Sequence, residues 1–464
     1  MSKDAVIAEL TAIGRVPEVE SILTHVANAR CCSLVGVSNM GKSMLLRALP
    51  QPALLETFFG DEAQSRLLIY IDCNRMLQLT EQGLYEMVLR CLREAAPQVE
   101  ALTRMDGLLE QAYNEVVRPS SPLAVPLAFN RALSALLEPG DLRVTLILDE
   151  FDDPLRALDG RVLLNLRALH DQYAEHLVYV TATGTDLALV RQTRDAAVDE
   201  FCELFAAHVV TLGPMNRADS LRWLDAQLDS PVLRGAHLSA ALKQQLAEQA
   251  GGHLGLLGAS LHCVTQGCAD AAGAARLAAG AALAGLLDQD PNVQLECEKL
   301  WDALSPQERR ALEQLTRLHT SRQSAALRNL MRKGLVHDSG AQLVPFAPIW
   351  ERYVQHHAEA REPHGDGVRI DDVYGEVWVD GRTISYLTPL EHRLLMALYE
   401  RTGQICTKEE IVEAVYGRPY IDSDLPALQR LVHRLRAKIE ADPSRPTHVV
   451  NVRGYGYKLV ANTA

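Results

Sequence analysis

The spacing of apolar residues changes character along the chain, and each change marks a different architecture. Up to about residue 215, short β-branched apolar runs at 32–37, 67–72, 144–149, 177–183 and 208–212 alternate with amphipathic stretches at 43–49, 80–95 and 161–176. Continuous apolar runs of this length, separated by helical periods, predict a parallel sheet buried by helices. From residue 217 to about 289 the strand signal stops and Leu/Ala-rich helical periodicity replaces it, which predicts a helical lid. Residues 293–357 give three or four short helices, with a turn at 334–340 between two strands. The stretch 358–367 is polar and rich in helix breakers and is assigned as a linker.

The last hundred residues predict a separate domain. Thr388, Pro389 and Glu391 form a capping box with a proline start, ahead of an apolar stripe at 390, 394, 395 and 398. A second helix begins near Lys408. In a third helix, at 424–440, Leu428, Val432, Leu435 and Ile439 recur every three or four residues and should face the core. Its other face presents Gln429, Arg430, His433 and Arg434, with Arg436 and Lys438 flanking. Two short strands around a Gly-rich hairpin follow at 448–460, so the domain is a winged helix. The fold class is therefore multidomain: a parallel-sheet α/β core (1–215), a helical lid (216–292), an inner winged helix (293–357), the linker (358–367) and a C-terminal winged helix (368–464).

Charge narrows where a polyanion can bind. The 464 residues carry 46 Lys+Arg against 59 Asp+Glu, a formal net charge of −13. Residues 425–460 reverse that balance, with seven basic side chains against two acidic ones. A nucleic-acid partner is thus expected at the C-terminus. Nine cysteines, with no Cys-x-x-Cys pair and no histidine cluster at zinc spacing, predict reduced thiols without a structural metal. The opening residues lack the apolar core of a signal peptide. The apolar stretch 271–287 contains Arg276 and falls short of a membrane span. A cytoplasmic location, with no membrane partner, is expected.

The chemistry-bearing motif is Gly36-Val-Ser-Asn-Met-Gly-Lys-Ser43, which fits G-x-x-x-x-G-K-[ST] between an apolar strand and a helix. Main-chain N–H groups across Gly36, Val37, Ser38, Asn39, Met40 and Gly41, with the first turn through Met44, are expected to cradle phosphates. Lys42 should reach the β- and γ-phosphates of ATP, and Ser43 should hold Mg²⁺. Asn39 stands where many relatives have Gly, a mild departure because Asn tolerates left-handed backbone. Asp149 and Glu150 end the run at 144–149; Asp149 is expected in the Mg²⁺ shell and Glu150 as the residue that orients the attacking water. Thr183, or Thr181, is the candidate sensor of the γ-phosphate.

Ile13-Gly-Arg-Val-Pro-Glu18, the loop at 36–43, Asp149-Glu150 and Leu212-Gly-Pro214 resemble, in order and spacing, the STAND signal-transduction ATPases and their origin-recognition-type AAA+ relatives. The resemblance covers residues 13 to about 260. It implies that Arg15 lies near the phosphates or the base, and that Gly213 and Pro214 line the adenine pocket. Gly251-Gly-His-Leu-Gly255 resembles the Gly-Gly-His-Pro of relatives, which makes His253 a nucleotide-contact candidate. Ala206-Ala-His208 stands where many relatives carry an arginine, so no arginine finger is assigned; Arg191 and Arg194 are the candidate substitutes.

Residues 368–460, with the Leu-Thr-Pro-x-Glu start and Arg453-Gly-Tyr-Gly-Tyr457, closely resemble the OmpR/PhoB-type effector domain. That resemblance implies a third helix in the major groove of double-stranded DNA and a wing at the minor groove. Arg434 is then the base-contact candidate, because Arg pairs bidentately with guanine. Gln429 shares its face, Arg430, His433 and Arg436 grip phosphate, and Asn451 and Arg453 belong to the wing. Leu431 stands where family members often have a polar residue. In the inner winged helix, Arg328, Arg332 and Lys333 supply the charge on the recognition-helix equivalent; in STAND proteins such a module usually regulates the ATPase by packing on it, and a second DNA contact through these residues stays open.

Together these readings point to an ATP-dependent switch, slow in turnover, joined to a sequence-specific DNA reader: a bacterial transcriptional regulator responding to a protein or small-molecule signal, with homo-oligomerisation open. The competing classes are an AAA+ motor or loader acting on DNA, distinguished by strong DNA-stimulated turnover, and a STAND defence sensor.

Overall fold

The computed structural model describes residues 14–190, 195–230, 233, 238–267, 281–318, 324–340, 342–361, 367–370, 377–384 and 387–460. Arg191, Arg194, Ile13, Cys268, the stretch 271–280 with Arg276, and linker positions 362–366 lie outside these residues. The chain divides into two compact units, Met1–Val354 and Gln355–Ala464, each with its own apolar core.

In the first unit, five strands form one sheet: β1 (Cys32–Val35), β2 (Arg66–Asp72), β3 (Arg143–Asp149), β4 (Leu177–Thr183) and β5 (Val209–Thr211). Their order is β2-β3-β4-β1-β5, and every pairing is parallel. Every residue of β4, and all of β3 beyond Arg143, is buried. Successive strand residues point to opposite faces, so burial at every position means that helices cover both faces. This is why the sequence shows unbroken apolar runs and not alternation. The order sends the chain from β1 past two strands to β2, and β4 returns between β1 and β3. The carboxyl ends of β1, β4 and β3 therefore stand side by side, the position at which open parallel sheets bind ligands.

After β5 the unit is helical. Helix Arg217–Leu228 is capped by Asn216, whose side chain accepts the Asp219 N–H, and helix Ala240–Ala250 by Ser239. The second of these stops at Gly251, which takes the left-handed conformation (φ +57°). There a Cβ would fall 2.3 Å from the Phe346 carbonyl oxygen, so glycine is required on both counts. Helix Leu254–Gly267 follows, then Ala281–Gln289, Pro291–Asp302, Pro306–Leu318 and Ala325–Arg332. An antiparallel hairpin of β6 (Val336–Asp338) and β7 (Leu343–Pro345) leads into helix Pro348–Arg361. That helix continues through residues 358–361, which the sequence reading gave to the linker. The segment Ala358-Glu-Ala-Arg361 is made of good helix formers, and the breakers begin only at Pro363.

The second unit has an antiparallel sheet of β8 (Val368–Ile370), β9 (Val377–Val379) and β10 (Arg382–Thr383). Helices Pro389–Tyr399, Lys408–Tyr416 and Leu425–Ile439 follow, with β11 (Cys406–Thr407) pairing on β13 (Gly456–Leu459) and β12 (Val449–Val452) on its far side. It is a winged helix. The Thr388 N–H donates to Glu391 at 2.8 Å and the Thr407 N–H to Glu410 at 2.8 Å, closing two capping boxes. Leu431 is fully buried with Leu428, Val432, Leu435 and Ile439. The third helix thus buries a wider stripe than the spacing predicts, and Leu431 is a core residue with no place on the reading face.

The eight described cysteines are free thiols. No helix among the described residues is long and apolar enough to cross a membrane.

Candidate nucleotide site and nucleic-acid interface

The loop Gly36–Ser43 leaves β1 at the centre of the carboxyl edge. Asn39 and Gly41 both take positive φ (+58° and +95°), so the chain doubles back before helix Lys42–Ala48. Lys42 is buried, and its ammonium donates to the carbonyls of Gly36 (2.7 Å) and Val37 (3.3 Å). A cavity of about 310 Å³ opens above the loop. Asn39, Gly41, Lys42, Ser43 and Met44 form its floor, Glu150 one wall, and Trp223, Leu254 and Gly255 the other.

Of the acidic pair, Glu150 lines this cavity and Asp149 is buried beside it in the chain. Asp149, buried, accepts from the Tyr70 hydroxyl at 2.7 Å and from the Glu150 N–H at 3.0 Å. Tyr70 in turn accepts from Arg47 Nε at 3.1 Å. Burial, and then its bond to Asp149, push the Tyr70 hydroxyl well above its ordinary value, so it stays a donor. Glu150 turns out of the strand with φ +52°, a strained conformation for a glutamate. Burial raises its carboxyl above the usual range, while the Lys42 ammonium pulls the other way. Asp152, also raised by burial, accepts the Gly184 N–H through both oxygens (3.1 and 3.0 Å) and ties the turn after β3 to the turn after β4.

Four sequence-assigned residues have partners on the protein itself. Arg15 is buried, and its guanidinium donates to the Met40 carbonyl (3.0 Å) and to Glu18 (3.3 Å), so it grips the loop's backbone. His253 is likewise turned to the loop. Its Nδ1 accepts the Leu256 N–H at 3.1 Å, which leaves the proton on Nε2 to be donated to the Ser38 carbonyl at 2.9 Å. Both ring nitrogens are thus engaged on backbone. Pro214 packs against Gly334, where a Cβ would meet the proline ring at 2.5 Å. Thr183, fully buried, donates its hydroxyl to the Thr185 carbonyl at 2.6 Å.

Sequence reasoning missed Tyr70, Arg47, Asp152, Trp223 and Glu296. Tyr70 left a faint signal, a hydroxyl inside the run Leu67-Leu-Ile-Tyr-Ile71. Trp223 and Glu296 left none, because nothing local marks the helix face that meets a loop some two hundred residues earlier.

In the second unit, Gln429, Arg430, His433 and Arg434 are exposed on one face of helix Leu425–Ile439 and, with Tyr416, line an open groove of about 660 Å³. Glu391, buried at the start of an earlier helix, lies 3.9 Å from Arg434 and 2.6 Å from Lys438. Arg436 is turned inward: its guanidinium donates twice to the Val449 carbonyl (2.9 and 2.6 Å) and lies 5.9 Å from the Tyr457 ring centroid, so it holds β12 to the helix. Asn451 and Arg453 are exposed on the hairpin β12–β13, whose tip turns through Gly454 (φ +86°). Tyr455 stands out at that tip, 68% exposed, and the sequence reading gave it no role.

Comparisons with known proteins agree with both geometries. Residues 25–192 match the family described as "AAA domain", and residues 381–459 the family "Transcriptional regulatory protein, C terminal". The chain thus carries an AAA-type P-loop NTPase domain and an OmpR/PhoB-type DNA-binding domain. The C-terminal part is similar to the sensory transduction protein RegX3 of Mycobacterium tuberculosis, 44% identical over 92 residues, or 20% of this chain and 40% of that protein. It is similar also to the DNA-binding response regulator MtrA of the same organism, 45% identical over 95 residues, 20% of this chain and 39% of the relative. The chain therefore spans about 40% of the length of these curated relatives. A Walker-type ATPase of Pyrococcus abyssi aligns over 74% of this chain and 95% of its own, at 16% identity and a TM-score of 0.48.

Proposed function

We propose that the protein is an ATP-dependent, switch-type transcriptional regulator, in which nucleotide state sets how a specific DNA reader is presented. The domain map is then an ATPase core to about residue 215, a lid over 216–292, an inner winged helix over 293–357 and the DNA-binding winged helix from 368. The observation that carries the reading is where the later helices end: His253 on the Ser38 carbonyl, the Gly255 N–H on the Asn39 carbonyl (3.1 Å) and Glu296 on the Asn39 amide (2.7 Å). A ligand that reorders the loop necessarily reorders those helices.

In this reading the loop N–H groups and Lys42 bind the ATP phosphates. The residues fit a divalent cation: Asp149 is a buried carboxylate bonded only to neutral donors, with no ion pair among the described residues, and its chain neighbour Glu150 lines the loop cavity with Ser43. Ser43 and Asp149 would hold Mg²⁺, which when bound would supply charge neutralisation at the phosphates. Glu150, its basicity raised by burial, orients the attacking water, and slow turnover resets the switch. Thr183 acts as a sensor only if its bond to Thr185 opens. On DNA, Arg434 reads a base, Gln429, Arg430 and His433 flank it, and Asn451 and Arg453 carry the wing. The inner module is read as a regulator of the ATPase; of its three basic residues, Lys333 is tied to buried Glu308 at 2.8 Å.

The test is to sequence genomic fragments bound by the full chain with ATP, with ADP and with neither. A recurring sequence whose enrichment depends on nucleotide is expected. Equal enrichment in all three would reject the coupling, and strong stimulation of turnover by any DNA would favour a motor.

A further inference from the structure

We propose that Glu296 selects between nucleotides by charge: seated behind the phosphate loop, its carboxylate disfavours the triphosphate relative to the diphosphate while helix Pro291–Asp302 is packed there. The inference rests on the nucleotide reading of the loop and names a residue that sets its preference.

Asn39 is the junction. Its left-handed backbone (φ +58°) aims the carbonyl at the Gly255 N–H and leaves the side-chain amide to donate to Glu296 Oε2 at 2.7 Å. Asn39 and Gly255 both line the phosphate-loop cavity, so the carboxylate that touches them stands directly behind its wall. Its approach needs the glycine: a Cβ at position 255 would fall 2.1 Å from Glu296 Oε2. The Glu296 side chain is 12% exposed, and its cationic partner is Lys299 at 2.6 Å, on the solvent side and 42% exposed. Glu296 is thus poorly screened toward the loop and only partly neutralised away from it.

A γ-phosphate adds negative charge on the loop side that a diphosphate lacks. At the separations of a cavity this size, with partial solvent screening, the added repulsion is worth roughly five- to tenfold in affinity. Because Glu296 belongs to helix Pro291–Asp302, the same repulsion favours release of that helix when triphosphate binds. A residue that merely packed would change both nucleotides' affinities alike.

Titration calorimetry on the full chain with ATP and with ADP tests this. Glu296→Gln keeps the acceptor for Asn39 and removes the charge; ATP affinity should rise about five- to tenfold against less than about twofold for ADP. Lys299→Met leaves the carboxylate unneutralised and should move the ratio the other way, by about two- to threefold, which keeps the test decisive if the first variant folds poorly. In an Asn39→Gly background, which releases the carboxylate, the Glu296→Gln effect on the ratio should shrink. Equal changes for ATP and ADP in Glu296→Gln, or no change, overturn the proposal. Lys42→Ala separates the two levels: if it abolishes binding while Glu296→Gln leaves the ratio unmoved, the nucleotide reading stands and only this inference falls. A parent chain that binds neither nucleotide defeats both.

Discussion

Nε2 of His253 lies 2.9 Å from the carbonyl oxygen of Ser38, and the ring is fully buried. Burial lowers the imidazole pKa to about 4, so the ring is neutral in the folded protein at physiological pH. An unfolded chain would titrate it near 6.5. The folded-state value is the lower one, so the stabilisation is fully present above pH 6.5 and is lost as pH falls toward 4. The unfolded state binds the extra proton in that window, at a cost on the order of 3 kcal/mol. His253→Gln should weaken the anchor at neutral pH yet flatten the decline of Tm between pH 6.5 and 4.5. A variant whose Tm falls over that range as steeply as the parent's would show that this histidine is not the titrating anchor.

Lys42 and Glu150 should separate binding from turnover. Lys42→Ala removes the only cationic side chain on the cavity floor, and labelled ATP should no longer bind tightly. Glu150→Gln preserves shape and takes away the base, so it should bind ATP and retain it unhydrolysed in single-turnover assays. If Lys42→Ala binds ATP as well as the parent does, the loop is not a phosphate cradle.

The parts of this site that could be read from sequence are those built by contiguous residues. The loop at 36–43 and the strand ending in Asp149-Glu150 combine a local period with a local chemical signature, and β1 through β5 begin and end within a residue or two of the apolar runs. What could not be read is which polar group faces which after folding. Arg15 and His253, read as nucleotide-contact candidates, bond to the carbonyls of Met40 and Ser38; a residue string does not tell a phosphate contact from a carbonyl contact. Glu296 was invisible, since its partner is 257 positions away. Arg436 shows the same limit: a helical wheel places it beside the basic face, and its long side chain reaches across to β12.

Trp223 offers a direct reporter. It lines the wall facing Lys42 and Ser43, and the ring is partly exposed there. Nucleotide entering the cavity should change its environment, so the tryptophan emission of the full chain should shift on adding ATP. Trp223→Phe should abolish that shift and leave Trp301 and Trp350, which lie in the core, and Trp378 of the second unit as a constant background. An emission change that persists in Trp223→Phe would mean the signal arises elsewhere, at Trp301, Trp350 or Trp378.

Arg434, Arg430 and Arg436 lie on one helix and should fail in three different ways. Arg434 is exposed at the centre of the groove, so Arg434→Ala should cost about 1–3 kcal/mol on a selected DNA site and relax preference at one base pair. Arg430 has the same exposure but is assigned to the backbone. Its removal should weaken all sequences alike and lower the slope of log affinity against log salt by about 0.9. Arg436 is engaged inside the domain, with two bonds to the Val449 carbonyl and the Tyr457 ring beneath it. Arg436→Ala should therefore leave the salt slope unchanged and loosen β12, costing about 1–3 kcal/mol of stability because a buried carbonyl loses its donor. Through the displaced wing, affinity should drop most on sites where Asn451 and Arg453 make contact. Titrating the three variants on a selected and a mismatched site at two salt concentrations, with a melting curve for each, decides among these roles. A reduced slope with unchanged melting in Arg436→Ala would return that arginine to the phosphate backbone and make its inward bonds a feature of the free protein alone.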